Sequence, residues 1–371
     1  MADKVRYYLE QSVPELEDLK VKGLFDKNEI TMIMRRRTDF EHRITGRGSR
    51  PRDYLKYSEF ENNLEKLRKK RYTRLSKVGL VDTKPSISDW AGVRRIMFIL
   101  DRGTKKFPGD QQLWAEYLTY AKDNGAIKVV YKIYSRLLQL QPRNVDAWLS
   151  AAKYEFETNA NAKGTRLLFQ RGLRLNPEST ALWLSYAQFE LTYISKLLAR
   201  RKLLGLLTES EQKKETDDMM ILPQAETTLN LPDADMSMLG SPETNPALKG
   251  DVFLAIFDEC VKAKGFDVVE KFLHLIDQFE DLDRDYLYSH VLNYIQREYP
   301  DDIGTAFIDI TLPIRTSNDG LQLSVNKFLA YKAKNPNKEL TNMFVNKLMQ
   351  IDGNEKVKPL IQAIIKKINP A

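Results

Sequence analysis

Three tryptophans recur at a constant spacing, and that spacing constrains the fold more than any other feature of the sequence. They stand 34 and 35 residues apart, and each one follows a proline by six residues and an arginine by twelve. The register consists of Arg102, Pro108 and Trp114, of Arg136, Pro142 and Trp148, and of Arg171, Pro177 and Trp183. Self-similarity at such a period is typical of repeat architectures, in which each unit packs only on its neighbours.

Each tryptophan begins an aromatic stripe. The next ring stands three or six residues further on, and such positions share one face of an α-helix. An earlier copy of the stripe has tyrosine in place of tryptophan, with residues 66–88 interpreted as an insertion before the next copy. The predicted core positions are Tyr54, Tyr57, Phe60, Trp114, Tyr117, Trp148, Tyr154, Trp183, Tyr186 and Phe189.

A second apolar pattern precedes each register arginine, and the proline that follows marks the end of that helix. The chain is therefore predicted to be all-α, with helix pairs stacked into a superhelical solenoid. A stripe of rings at helical spacing is expected in the core between helices, since a base-stacking surface would need the rings exposed. The register arginines are expected to form ion pairs with Glu61, Glu155 and Glu190.

Composition divides the 371 residues into four predicted parts. Residues 1–50 are an N-terminal helical head and partner-docking segment, and residues 51–207 carry the repeats. Residues 208–248 are rich in Asp, Glu and Pro without periodicity, which indicates a flexible acidic insertion. Residues 249–371 resume helical patterning, with helices expected near 266–280, 285–299, 320–333, 338–350 and 355–368.

The repeat resembles the HAT (half-a-TPR) repeat. Its marks are a Trp-x-x-Tyr-x-x-Phe-Glu helix, a second helix that ends in an aromatic residue, any residue and Arg, and a proline six residues before the next tryptophan. The Leu-Gly and Ala-x-x-x-Phe of the related TPR signature are missing. HAT repeats occur chiefly in assemblies that process RNA, so the resemblance implies a role of that kind.

The head carries a more specific resemblance. In a fixed order come Val13-Pro14-Glu15-Leu16-Glu17, Gly23-Leu24-Phe25, Asn28-Glu29-Ile30, the segment Arg35 to His42, Tyr57 to Glu61, and Leu64-x-x-Leu67-Arg68-x-x-Arg71. Together they resemble the family of the sixth U-three small nucleolar RNA-associated protein. The resemblance is specific over residues 1–205 and weaker beyond the acidic insertion. The resemblance implies a non-catalytic nucleolar subunit of UTP-B in the small-subunit processome. It also implies WD40-propeller partners and proximity to pre-ribosomal RNA and a small nucleolar ribonucleoprotein.

Sequence motifs for catalysis are missing. There is no phosphate-binding glycine loop, no Gly-x-Ser-x-Gly and no His-Glu-x-x-His. One cysteine and three scattered histidines do not make a usual metal site. We therefore expect no enzyme activity, no cofactor and no small-molecule substrate. No apolar run approaches the ~18–20 residues of a membrane span, so no membrane partner is expected.

Two basic clusters are candidates for contact with phosphates, in a chain whose formal net charge is +7. One is a run of three arginines, and the other has seven Lys or Arg among residues 66–77. If the second cluster is helical, five of its charges share a face, and such a face can neutralise phosphates. The alternative is a solvated charged helix. The candidate residues are Arg35, Arg36, Arg37, Lys66, Lys69, Lys70, Arg71 and Arg74.

Two questions stay open at the level of sequence. The apolar face of the head, with Tyr7, Tyr8, Leu9, Leu16, Leu19, Leu24 and Phe25, could cap the repeats or insert into another subunit. The function could be that of a UTP-B scaffold for pre-18S ribosomal RNA processing. The alternatives are a HAT scaffold in pre-mRNA splicing or 3′-end processing, or a protein that binds RNA directly through its basic helix.

Overall fold

A computed structural model describes residues 2–79, 85–203, 246–279, 281–316, 320–334 and 337–351. These residues are mostly helical, and none of them lies in a β-strand. The chain divides into two compact units, Met1–Ala147 and Trp148–Ala371. Helices that follow one another pack in neighbouring pairs, so the prediction of an all-α helical-repeat solenoid is confirmed.

The first unit contains seven complete helices among its described residues. They are α1 (Ala2–Glu10), α2 (Val13–Val21), α3 (Lys27–Thr45), α4 (Pro51–Lys77), α5 (Ser88–Lys106), α6 (Gln111–Asp123) and α7 (Ile127–Leu140). An eighth helix, α8 (Val145–Glu157), begins in its last three residues. The most extensive contact between helices of this unit is that of α4 with α5. After it, α5 packs on α6, and α6 packs on α7.

The second unit continues with further helices. They are α9 (Ala162–Leu175), α10 (Thr180–Leu203), α11 (Pro246–Lys249), α12 (Asp251–Lys264), α13 (Val269–Asp277), α14 (Arg284–Glu298), α15 (Ile303–Thr316), α16 (Gly320–Lys334) and α17 (Lys338–Ile351). A single 3₁₀ turn, Phe266–Val268, precedes α13. α10 packs on α12, its partner across the intervening segment 204–245, and α15 packs on both α16 and α17.

The spacing of proline and tryptophan has a direct physical cause. The indole N–H of Trp114 donates to the carbonyl of Pro108 at 2.9 Å, and that of Trp183 donates to the carbonyl of Pro177 at 3.1 Å. The ring thereby satisfies a carbonyl in the turn before its own helix, where no helical donor is available. The hydrogen bond from indole to proline carbonyl therefore explains why each proline stands six residues before its tryptophan.

Glycine after the register arginine also has a packing reason. A Cβ on Gly103 would lie 3.2 Å from the ring of Tyr54, and a Cβ on Gly172 would lie 3.3 Å from the ring of Trp148. Each glycine lets the second helix of a pair approach the aromatic ring that opens the first. The side chains of Trp114 and Trp148 are buried, whereas that of Trp183 is half-buried.

The head packs on its own chain. Leu16, Leu19, Leu24 and Phe25 are buried with Ile33, and the cluster is completed by partly buried residues of α3 and α4, which are Ile30, Met34, Leu64, Tyr72 and Leu75. α2 packs on α3 and α5, and α1 packs on α3. Leu16, Leu19, Leu24 and Phe25 therefore cover the beginning of the repeats, whereas Tyr7 of the same predicted face is 58% exposed.

The helices differ from the sequence prediction at two places, and two further predicted segments lie outside the described residues. Residues 66–77 are not part of an insertion: they continue α4 without a break, because the buried Arg68 and the partly buried Tyr72 and Leu75 extend the stripe of Tyr54 and Tyr57. The helix Ile303–Thr316 was not expected, since Pro313 interrupts its pattern. The carbonyl of Asp309, which Pro313 cannot bond, accepts instead from Lys327 Nζ at 3.2 Å. Residues 208–245 of the expected acidic insertion and the helix expected at 355–368 lie outside the described residues.

Candidate functional site

Five cations of α4 lie together in solvent. Lys66, Lys69, Lys70, Arg74 and Lys77 are all exposed, and we call them the α4 ridge. No acidic residue interrupts residues 66–77. The nearest ion pair is weak, with 3.7 Å between Lys69 Nζ and a Glu65 carboxylate oxygen. No other ion pair of these five cations is found in the part of the chain that the structure describes, so the ridge is a positive strip of the kind that can neutralise phosphates.

The opposite face of α4 is buried, and its spacing explains which charges the helix exposes. Its inward positions are Tyr54, Tyr57, Glu61, Glu65 and Arg68. They recur every three or four residues, so they form one stripe, and the ridge residues fall between them. Arg68 belongs to that stripe, where it donates to Glu65 at 2.7 and 2.8 Å and to Asp89 at 3.1 Å.

The prediction that Arg37 contacts phosphate is wrong. Its side chain has no exposed area, and its guanidinium donates twice to Glu61, at 2.8 and 2.9 Å, and once to Glu15 at 3.3 Å. On α3 it shares a stripe with Ile33, Glu41 and Ile44, all of them buried. That stripe was readable from the sequence, because isoleucines four positions before and seven positions after Arg37 mark the inward face. Its neighbours Arg35 and Arg36 are exposed and stay candidates.

Arg37 is the centre of a buried ion-pair network that joins four helices. Glu15 of α2 contacts both Arg37 of α3 and Arg95 of α5, and Glu61 of α4 contacts the same two arginines, with 3.8 Å between Arg95 Nε and Glu61. Burial alone would raise the pKa of Glu15, but the charges of Arg37 and Arg95 outweigh it and lower that pKa below its usual value. The two arginines therefore keep the Glu15 carboxylate ionised at neutral pH.

Arg71 is also committed within the fold, contrary to its prediction as a phosphate contact. Its guanidinium donates to both oxygens of Glu29 at 2.7 Å and to the carbonyl of Leu24 at 2.9 Å. Hydrogen bonds from Arg71 and from the Asp26 backbone lower the pKa of Glu29 to about 2. The guanidinium also lies over the Phe25 ring, 4.7 Å from its centroid. Arg71 thus joins the head to α4 and leaves no free fork for a ligand.

Two of the register arginines, Arg102 and Arg136, pair with partners other than those expected. Arg102 forms a two-point contact with Glu41, at 2.9 and 3.1 Å, and lies over the Tyr8 ring. Arg136 lies 3.8 Å from Asp101, the residue just before the previous register arginine.

The expected acidic partners bind elsewhere. Glu190 binds Arg166, with two hydrogen bonds of 2.7 Å, and Glu155 accepts from Asn159 and Asn161. Sequence spacing placed these groups on the correct helices, but it could not choose between nearby arginines.

The described residues contain no group of three or more His, Cys, Asp or Glu side chains placed to hold a metal ion. Among the same residues, no helix combines the length and the apolar character needed to cross a bilayer. The lone thiol, Cys260, is buried in α12, and burial raises its pKa to about 11.

Comparisons with known proteins agree with this architecture. Residues 9–95 match the sequence model of the family described as U3 small nucleolar RNA-associated protein 6, and residues 100–209 match that described as PRP39 N-terminal HAT repeat. The two matched segments meet within α5, so the head and the repeats each have a counterpart.

Individual relatives extend the similarity. U3 small nucleolar RNA-associated protein 6 of Schizosaccharomyces pombe is 39% identical over 262 residues, which is 70% of this chain and 53% of the relative. The mouse homolog is 32% identical over 169 residues, or 46% of this chain and 28% of the relative. The Dictyostelium discoideum homolog is 24% identical over 319 residues, or 81% of this chain and 51% of the relative.

The chain spans about half the length of these relatives, or less. Its head carries the family match, and its helix pairs carry the repeat match. These findings support the assignment of the chain to the U3 small nucleolar RNA-associated protein 6 family, with a HAT repeat domain.

Proposed function

We propose that this chain is a non-catalytic scaffold subunit of a ribosome-biogenesis complex, UTP-B of the small-subunit processome. In this role it supports the early processing of pre-18S ribosomal RNA in the nucleolus. The match of residues 9–95 to the family model carries the proposal. Its partners are the WD40-propeller subunits of UTP-B, and pre-ribosomal RNA and the U3 small nucleolar ribonucleoprotein lie close by.

The mechanism that we propose is multivalent presentation. Stacked helix pairs are stiff because each is packed on the next, so partners that bind different pairs are held at fixed distances. Pairs such as the buried Arg37–Glu61 and the partly buried Arg166–Glu190 fix the helices in register, which a purely apolar contact does less strictly. No bond-making step is required of any residue.

Precipitation of the tagged full chain from nucleolar extract tests the proposal. We expect U3 small nucleolar RNA and pre-18S precursors in the precipitate, and an accumulation of unprocessed precursors when the chain is depleted. The alternative function, a HAT scaffold in pre-mRNA splicing or 3′-end processing, gains support from the match of residues 100–209. Enrichment of spliceosomal small nuclear RNAs without U3 would favour that alternative and contradict the proposal.

A direct contact with RNA is a second candidate function, and the exposure of the α4 ridge favours it. Charge reversal of Lys69 and Lys70 tests it inside the assembled particle, where ultraviolet crosslinking to RNA is measured. A matched control reverses Arg52 and Lys56, which are exposed on the same helix outside the ridge. We expect the ridge variant to lose most of its crosslinks and the control variant to keep them; equal crosslinking in both would contradict a role for the ridge.

A further inference from the structure

The fourth tryptophan, Trp90, lies outside the repeat register and is exposed to solvent. Its exposed fraction is 47%, against 2% for Trp114 and 5% for Trp148. It begins a stripe on α5 with Arg94 and Phe98, at a spacing of four residues, and Phe98 is 40% exposed. Large rings left in solvent at helical spacing indicate a surface that another molecule covers.

This stripe separates two clefts, and its three residues line both of them. The first cleft, of ≈ 520 Å³, is completed by Tyr8, Pro14 and Ile87 among others. The second cleft, of ≈ 550 Å³, is completed mainly by Val93, Met97, Tyr117, Val129 and Lys132. We call the stripe and the two clefts the Trp90 surface. Its lining is largely apolar, and tryptophan, tyrosine, methionine and arginine are the residue types enriched in protein interfaces.

The charges of the Trp90 surface are unbalanced. Its three carboxylates are all occupied: Glu15 by Arg37 and Arg95, Glu41 by Arg102, and Asp101 by Lys105 at 2.6 Å. Arg94 and Lys132 line the clefts, are exposed, and have no acidic partner among the described residues. The unsatisfied charge of this surface is therefore positive, and it favours a partner that brings carboxylates.

We propose that the Trp90 surface binds a segment of another protein in which a carboxylate is flanked by two apolar side chains. The apolar side chains enter the clefts on the two sides of the stripe, and the carboxylate pairs with Arg94. The inference deepens the proposed scaffold function, and it rests on that function because it names the chemistry of one of the scaffold's partners. An aromatic anchor beside a freely available guanidinium is the usual composition of an interface hot spot.

Site-specific photocrosslinking identifies the occupant. The full chain carries benzoylphenylalanine in place of Phe98 in its native cells, and a second form carries it in place of Met32, which is 67% exposed on α3. We expect the Phe98 position, but not the Met32 position, to crosslink to one protein segment that contains Asp or Glu between apolar residues. Crosslinks to RNA, to a basic segment, or to nothing beyond the Met32 background would overturn the inference.

The crosslinked segment is then synthesised and titrated against the full chain by fluorescence anisotropy. Trp90→Ala and Arg94→Glu should each weaken its binding about tenfold or more, whereas Ile127→Ala, an exposed position that lines neither cleft, should change binding less than about twofold. A segment with lysine in place of its carboxylate should recover affinity for the Arg94→Glu variant. Unchanged affinity for both Trp90→Ala and Arg94→Glu would contradict the assignment of this surface.

The same variants separate this inference from the proposed function. If Trp90→Ala abolishes segment binding while U3 small nucleolar RNA still precipitates with the chain, both stand, and other contacts hold the particle. If the segment binds equally to all variants, only the inference fails. If the unmodified chain precipitates no U3 small nucleolar RNA, the proposed function fails whatever occupies the Trp90 surface.

Discussion

The first helix group of this chain and the last one that the structure describes differ in what lies at their centres. At the N-terminal end, α2, α3, α4 and α5 meet at the buried network of Glu15, Arg37, Glu61 and Arg95. At the other end, α15, α16 and α17 meet at an apolar cluster of Ile310, Phe328, Leu340, Phe344, Val345 and Leu348, in which the Phe328 and Phe344 rings stack at 4.5 Å.

The two kinds of contact differ more in how strictly they fix the arrangement of the helices than in how strongly they hold the helices together. Apolar contacts are non-directional, so helices that meet through them can shift with small changes in energy. A guanidinium that donates to two carboxylates accepts one geometry, and it leaves an uncompensated charge in the core when a partner is lost. The network therefore suits a place where four helices must be fixed in one arrangement.

The largest expected effect comes from removing the centre of the network. Arg37→Ala leaves Glu61 and Glu15 short of a buried partner, and loss of one member of such a pair costs about 3–5 kcal/mol of unfolding free energy. Hydrogen exchange of α3 and α4 in the full chain measures this loss. Arg35→Ala, an exposed position on the same helix, is the control and should change stability by less than about 0.5 kcal/mol.

Two further variants sharpen the comparison. Arg37→Lys keeps the charge but loses the fork that binds both oxygens of Glu61, so it should recover only part of the stability. The double variant Arg37→Met with Glu61→Leu removes the pair together and should recover most of it. If Arg37→Ala were no less stable than Arg35→Ala, the network would have no role in holding the helices.

A smaller effect is expected in the apolar cluster. Phe344→Leu keeps a large apolar side chain at a fully buried position, and swaps of this kind usually cost less than about 1.5 kcal/mol because neighbours repack. Met343→Ala, at a position that is 41% exposed, is the control. Thermal unfolding followed by hydrogen exchange of α16 and α17 measures both, and a loss as large as that of Arg37→Ala would remove the contrast between the two ends.

Acid should weaken the first end before the second. The pKa of Glu29 is lowered to about 2 by Arg71, so its contribution is present above the unfolded value of about 4.5 and is lost as the pH falls toward 2. The pKa of Glu15 is lowered as well, which gives a loss in the same direction. We expect exchange protection of α2–α4 to fall between pH 4.5 and 2, while that of α16 and α17, whose cluster is apolar, changes less.

The partly exposed ion pair between Arg71 and Glu29 contributes modestly to the free energy of unfolding. Glu29→Gln should lower stability at pH 7 by about 0.5–1 kcal/mol, since partly exposed ion pairs are screened by solvent. The same variant should remove part of the acid sensitivity of α2–α4. An unchanged pH profile in Glu29→Gln would show that this carboxylate does not carry the dependence.

The smallest effect on stability is expected at the α4 ridge. Lys69→Glu with Lys70→Glu changes side chains that point into solvent on a helix whose core face lies opposite, so the change in unfolding free energy should stay within about 0.5 kcal/mol. Circular dichroism and chemical denaturation check this. A larger loss would mean that the ridge stabilises the fold, and it would weaken the case for a ligand there.

Much of the fold followed from periodic features of the sequence. The register of Arg, Pro and Trp predicted helix pairs, because the spacing reflects a local bond, indole to proline carbonyl, that needs no distant residue. The helix Ile303–Thr316 was not predicted, because Pro313 breaks the usual helical pattern. The backbone hydrogen bond that Pro313 cannot donate is replaced by one from Lys327, a residue on the next helix. The sequence around Pro313 does not predict a hydrogen-bond donor that comes from another helix.

The candidate site was less predictable, and Arg37 and Arg94 show why. Both are arginines on amphipathic helices, and composition alone treats them alike. Arg37 is enclosed by three other helices, whereas Arg94 lies between two open clefts.

The sequence by itself determined that the chain forms helix pairs, where each pair turns, and which family its head resembles. These depend on spacing along the chain, which hydrogen bonding and helical geometry translate directly into structure. Only the tertiary structure decided which cations face solvent and which are consumed in ion pairs, since that outcome depends on the approach of helices that are distant in sequence. The buried Arg37 and the exposed Trp90 are the two results of that approach that most affect what this protein can bind.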